Sequence, residues 1–129
     1  LERTGGAQLV ADYAAGLAVG LSPLLVLMIF YGAAMVLTEF ISNNATVVIL
    51  IPVAAGAATT LGLDPRAMIL AVMFAASTSF MTPVGYQTNT MIYGPGGYKF
   101  SDFFRVGALL NLLLAIVTPL YIYLLWGVQ

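Results

Sequence analysis

Asn43 and Asn44, with Ser42 before them and Thr38 upstream, place neutral oxygen-bearing side chains inside an otherwise apolar stretch. Thr82, Thr88 and Asn89 form a second such group around Pro83-Val84-Gly85. Neutral oxygens can hold a hard monovalent cation, or a carboxylate or sulfate, weakly enough to release it. Glu39, three residues before Ser42, is the one acid in this company. An acid in an apolar segment is costly and reads by default as an ion ligand or a proton carrier. The alternative is a structural hydrogen bond or an ion pair with sequence elsewhere. Cysteine and histidine are both absent, which removes disulfides, thiolate chemistry, imidazole acid–base catalysis and most transition-metal sites. With no nucleophile–base pair or metal cluster in view, an enzyme is the least favoured class and no cofactor is expected.

The elements that must position these groups are membrane helices. Of the 129 residues, 61% are hydrophobic and 7% charged, where soluble domains carry charge at roughly a quarter of positions. No charge occurs from Tyr13 to Thr38, Phe40 to Leu63, Ala67 to Tyr98 or Val106 to Gln129. Each run exceeds the ~20 residues that span a hydrocarbon core, so an integral protein of the lipid bilayer is expected. A net charge of −1 gives no electrostatic case for nucleic acid. The chain opens on Leu1 with nothing like a signal peptide, and it reads as a piece of a longer protein. Part of any transport path is therefore expected on sequence outside it.

The apolar runs are interrupted twice. Ser22-Pro23 starts a helix that runs to Ile41, where Ser42-Asn43-Asn44 stops it. Ala45 to Thr60 resumes it, with Pro52 a local kink and Leu61 to Pro65 a turn. Ala67 to Met81 is the next helix, broken over Thr82 to Asn89. A short piece, Thr90 to Tyr93, ends at Gly94-Pro95-Gly96-Gly97, which reads as a turn rather than a phosphate cradle. Lys99 to Arg105 is a polar connection, and Val106 to Trp126 is the cleanest spanning helix. The helices beside Asn43 could each span or stop short, so a re-entrant hairpin and two full passages both stay open. Likewise, Pro83 could be a packed kink. Non-helical backbone at membrane depth survives only inside protein or beside water, and transporters build substrate and ion sites from such discontinuous helices. Helix C-termini at the breaks would face a cation, and N-termini an anion. Lys99 and Arg105 place that connection in the cytoplasm and the C-terminus outside.

Leu37-Thr38-Glu39-Phe40-Ile41-Ser42-Asn43-Asn44-Ala45 through Ile51-Pro52 resembles the second Ser-Asn-Thr signature of the divalent anion:sodium symporters. Phe80 through Asn89 resembles the matching broken-helix motif of that family. Tyr93-Gly94-Pro95-Gly96-Gly97-Tyr98, with Asp102, Arg105 and Gly107, is similar to the subgroup whose longer members carry TrkA-C regulatory domains. Two departures stand out. Asn44 replaces the signature Thr, and Tyr86-Gln87-Thr88-Asn89 replaces Thr-Pro-Pro-Asn, so Tyr86 stands where a substrate-contacting Thr is usual.

The resemblance implies an all-α integral membrane fold from an inverted-repeat transporter, this chain being the C-terminal part of the second repeat. Residues 1–20 would be an interfacial helix or the end of a preceding one. Residues 21–62 would be a re-entrant helical hairpin with its tip at 42–44. Residues 63–98 would be a discontinuous transmembrane helix broken at 82–89, and 99–129 a cytoplasmic connection and the last transmembrane helix. It implies sodium as coupling ion, held by Ser42, Asn43 and Gly85 with Thr38 nearby, and a small anion, dicarboxylate or sulfate, at Asn43, Asn44, Tyr86, Thr88 and Asn89. The other half of the site would lie on the missing N-terminal part. The expected assembly is a homodimer in the cytoplasmic (inner) membrane, with transport domains moving against a fixed scaffold. Two alternatives are weighed against this: proton-coupled or exporting transport through Glu39, and a non-transporting membrane subunit or channel piece.

Overall fold

A computed structural model describes residues 3–127. The described chain is helical throughout: α1 (Gly6–Ala18), α2 (Pro23–Thr38), α3 (Asn43–Leu61), α4 (Pro65–Ala76), α5 (Gln87–Tyr93) and α6 (Phe100–Trp126). Local chemistry sets most of the boundaries. Ser22 caps α2 by accepting from the Leu25 N–H, and Pro23 occupies its first turn, where a missing donor does no harm. Gly62 ends α3 in a left-handed conformation, φ 70°, and lets Leu63 N–H reach back to the Ala58 carbonyl. Asp64 then caps α4 through the Arg66 N–H at 2.9 Å.

α4 is the central element, packed against α2, α3 and α6. Its inward face is Ala67, Met68, Ala71, Val72, Ala75 and Ala76, all buried. Ala11, Ala15, Ala54, Ala57 and Ala58 continue this seam of small side chains through α1 and α3. Small residues let helix backbones approach closely, which supplies packing where lipid removes the hydrophobic drive between helices. Gly56 shows how close: a Cβ there would lie 2.9 Å from the Ala11 Cβ. Outward positions are large and apolar, and α6 exposes Leu109, Leu112, Leu113, Ile116, Val117 and Leu124. Among the described residues two helices, α3 and α6, are long and apolar enough to cross a membrane. α2 and α4 are apolar but shorter, at 16 and 12 residues.

Boundaries of α2 to α6 differ from those read off the sequence, α5 starting at Gln87 rather than Thr90. α2 ends at Thr38, and Asn43 and Asn44 are the first residues of α3 rather than part of a stop. The cause is Ser42, whose hydroxyl accepts from the Ala45 N–H at 3.2 Å and starts the next helix immediately. α4 ends at Ala76, five residues before Met81, so the break runs from 77 to 86 instead of 82 to 89. There the Thr78 hydroxyl donates back to the Ala75 carbonyl at 2.6 Å, and Pro83 has no N–H to continue a helix. α6 begins at Phe100, so the expected polar connection over 99–105 is already helical. Asp102 Oδ2 accepts the Lys99 N–H at 2.7 Å and caps that start. Pro52 lies inside an unbroken α3.

Candidate functional site

The two breaks meet. Glu39 caps the C-terminus of α2 and is 2% exposed. Its Oε1 accepts the Met81 N–H at 2.9 Å, and its Oε2 accepts the Thr82 N–H at 2.9 Å. Its main-chain carbonyl accepts the Thr82 hydroxyl at 3.1 Å, and that hydroxyl accepts the Gly85 N–H at 3.0 Å. A third donor to the carboxylate, and its one side-chain donor among the described residues, comes from α6: Asn111 Nδ2 reaches Oε1 at 3.0 Å. A buried polar group is tolerable only when its hydrogen bonds are made. Glu39 makes its bonds with neutral amides, and in doing so fastens the 77–86 segment to the α2–α3 turn. Asn111 is 1% exposed, and its own Oδ1 has no hydrogen-bond partner among the described residues. Turning that amide over would set a carbonyl against a carboxylate, so the unpartnered oxygen is the lesser cost.

Beside this clamp lies a group of neutral oxygens. The Thr38 hydroxyl is 2.7 Å from Asn43 Oδ1 and 2.8 Å from the Ala76 carbonyl. Ser79 donates its hydroxyl to the same Asn43 Oδ1 at 2.8 Å. Thr38 is the last residue of α2 and Ala76 the last of α4, so two helix C-termini bring negative dipole ends here. Asn43 and Asn44 open α3, whose first N–H groups have no partner within the helix. Ser42 and Asn44 are exposed, and Asn43 is half-buried. A cleft of about 540 Å³ is lined here by Ser42, Asn43, Asn44, Gly85, Tyr86 and Gln87, among others.

Gly85 is buried in this cleft wall, where a side chain would not fit. A Cβ would lie 2.9 Å from Glu39 Oε2, 2.9 Å from the Ser79 Cβ and 3.2 Å from Thr82 Oγ1. Those neighbours are fixed by the bonds above, so Gly85→Ala must displace the break. Overpacking of this kind costs about 1–3 kcal/mol. Gly85→Ala is therefore expected to lower the midpoint of thermal unfolding while keeping helical content, and circular dichroism checks both.

A family model described as the sodium:sulfate symporter transmembrane region matches residues 1–128. The chain belongs to that family. An uncharacterized transporter of Synechocystis sp. is 50% identical over all 129 residues, which are 21% of that protein. The uncharacterized transporter YfbS of Escherichia coli is 36% identical over 126 residues, 98% of this chain and 21% of that protein. Sodium/sulfate cotransporter 1 of Chlamydomonas reinhardtii is 40% identical over 91 residues, 70% of this chain and 10% of that protein. The chain thus spans about a fifth or less of the length of these relatives, which are named as transporters and not as enzymes.

Within this symporter family chain, the sequence-derived site residues divide. Ser42, Asn43, Asn44, Gly85 and Tyr86 share the cleft, and Thr38 stands behind Asn43. Thr88 and Asn89 are not among its lining residues. Asn89 turns its amide inward, donating to the Ser79 carbonyl at 2.8 Å and the Thr82 carbonyl at 3.1 Å, so it braces the break. Thr88 is exposed on α5. Glu39 spends both carboxylate oxygens on the clamp. The sequence reading missed Ser79, Gln87 and Asn111. A signal existed for Ser79, the last of three consecutive hydroxyl residues, Ser77-Thr78-Ser79, four positions before Pro83. None existed for Asn111, a lone amide in an apolar helix 72 residues from Glu39.

Proposed function

We propose that the chain is part of a secondary transporter that couples sodium to movement of a small divalent anion. The observation that carries this reading is the convergence at Asn43: neutral side-chain oxygens, the Ala76 carbonyl and two helix C-termini gather where α3 begins. Such a set suits a hard monovalent cation, which prefers oxygen ligands. Thr38, Asn43 and the Gly85 backbone hold sodium, while Ser42 starts α3 and so positions Asn43. The anion sits on the cleft side, against the amides of Asn43 and Asn44, with Tyr86 on the opposite wall. Sulfate is the favoured substrate, because family and Chlamydomonas relatives carry that name; a dicarboxylate is the other member of the class. Thr88 and Asn89 have no substrate contact in this reading.

The α2–α3 pair is a re-entrant hairpin, α4 and α5 are halves of one discontinuous helix, and α6 is the last spanning helix. Together they form the C-terminal part of the second inverted repeat. The first repeat, in the rest of the protein, supplies the other half of the site, and two copies pair in the inner membrane with the C-terminus outside. Proton coupling through Glu39 is the weaker reading, since its oxygens are engaged in holding the break.

Asn43→Ala in the full-length protein tests this. It removes the oxygen that Thr38 and Ser79 share. Sodium-driven uptake in proteoliposomes is expected to fall by roughly tenfold or more, through a higher half-saturating sodium concentration. Unchanged sodium dependence would exclude Asn43 from the site.

A further inference from the structure

Resting on the sodium coupling proposed above, we infer that Ser79 is a further ligand that the broken helix contributes to the cation site, beside the Gly85 backbone. It acts with the Ala76 carbonyl to bind sodium between the break and the α3 start. Ser79 is 3% exposed and belongs to no helix. Its hydroxyl lies 2.8 Å from Asn43 Oδ1, and the Thr38 hydroxyl lies 2.7 Å from the same atom and 2.8 Å from the Ala76 carbonyl. Four uncharged oxygens, from the ends of α2 and α4, the start of α3 and the break, therefore form one connected cluster. Two are carbonyl-type oxygens with lone pairs only. The other two are hydroxyls, each able to turn its single hydrogen aside and offer a lone pair. The balance favours a cation, and the lack of any carboxylate in the cluster favours a monovalent one over calcium or magnesium. The helix C-termini at Thr38 and Ala76 add negative potential without adding a formal charge.

The adjoining glycine fits the same assignment. A Cβ on Gly85 would lie 2.9 Å from the Ser79 Cβ, so no side chain separates that backbone from Ser79. A cation held by Asn43 on one side and Ser79 on the other ties the break to the start of α3. Binding there would stabilise the pair as one unit, and release would loosen them. Ser79 thus affects sodium directly and the anion only through the shared Asn43.

The test uses the purified full-length protein and sodium chloride, titrated against choline chloride at constant ionic strength. The midpoint of thermal unfolding gives sodium binding without transport; proteoliposome uptake gives the half-saturating sodium concentration. Ser79→Ala is expected to raise that concentration roughly tenfold in both readouts, with substrate KM at saturating sodium unchanged. Ser79→Thr, which keeps the hydroxyl, should raise that concentration less than Ser79→Ala does. If the alanine variant fails to fold, Ser79→Cys replaces it, since a soft thiol keeps the size but loses the hard oxygen. Wild-type sodium dependence in the alanine or cysteine variant would overturn the assignment of Ser79 alone. A wild-type protein whose stability and uptake ignore sodium would overturn the coupling itself and this inference with it.

Discussion

Glu39→Ala, made in the full-length transporter, is expected to abolish uptake and to lower thermal stability more than any other single change at the site. It leaves the N–H groups of Met81 and Thr82 and the Asn111 amide without their acceptor. Each buried donor left unpaired costs about 1–3 kcal/mol, so a total of about 3 kcal/mol or more is expected. Glu39→Gln is milder. Its one oxygen can serve two donors, but its NH₂ then faces the third, and a loss of about 1–3 kcal/mol follows. The glutamine variant also separates two modes of coupling. If Glu39 is a clamp, the variant that still folds keeps a sodium-dependent flux. If Glu39 carries a proton, the variant loses pH-driven uptake while still binding substrate. Flux in sodium-free vesicles under a pH gradient, abolished by Glu39→Gln, would transfer the coupling role to this acid. Thermal unfolding of the same variants reads the clamp independently.

Gly107→Ala is expected to be nearly as damaging, although it adds one methyl group far from the cleft residues in sequence. A Cβ at Gly107 would overlap the Phe80 carbonyl and lie 2.7 Å from the Met81 nitrogen. These are backbone atoms of the break, held in place by Glu39 and Asn89, so no flexible side chain can give way. α6 has to withdraw. Asn111 lies one turn further along the same helix, and withdrawal pulls its amide off Glu39 Oε1. Steric displacement costs about 1–3 kcal/mol, and loss of the charge-assisted bond adds about 1.5–3 kcal/mol. The expected result is loss of uptake with a lowered unfolding midpoint. A double-mutant cycle of Gly107→Ala with Asn111→Ala should be far from additive, because both act on one contact. Additive effects would show that α6 meets the break independently at the two positions.

Much of the site was legible because it is made of local signals. A run of apolar residues interrupted by Ser42-Asn43-Asn44 and by Pro83-Val84-Gly85 announces two breaks whatever the tertiary fold. The same residues carry the resemblance to the family that the whole-chain match then established. Thr38 and Asn43 were placed together by that resemblance, and the structure sets their side chains 2.7 Å apart. Direction was not legible. Thr88 and Asn89 lie in or beside the second break, and only the structure turns the Asn89 amide toward two carbonyls. Proximity in sequence places a residue in a break but does not say which wall of it the side chain faces.

By itself the sequence determined the membrane class, the order of the main helices and the starts of α2 and α4. Charge-free length, Ser-Pro and Asp-Pro starts and a glycine stop act through hydrogen bonds that close within a few residues, so no distant partner is needed to read them. Only the tertiary structure decided where α4 ends, that Ser79 faces Asn43, and that Glu39 is gripped by Met81, Thr82 and Asn111. Those are pairings across 36 to 72 residues. They are fixed by how α2, α4 and α6 pack, and each partner taken alone is an ordinary serine, asparagine or backbone amide. A buried carboxylate must find donors somewhere, and the packing of α6 against the break determines which donors lie within its reach.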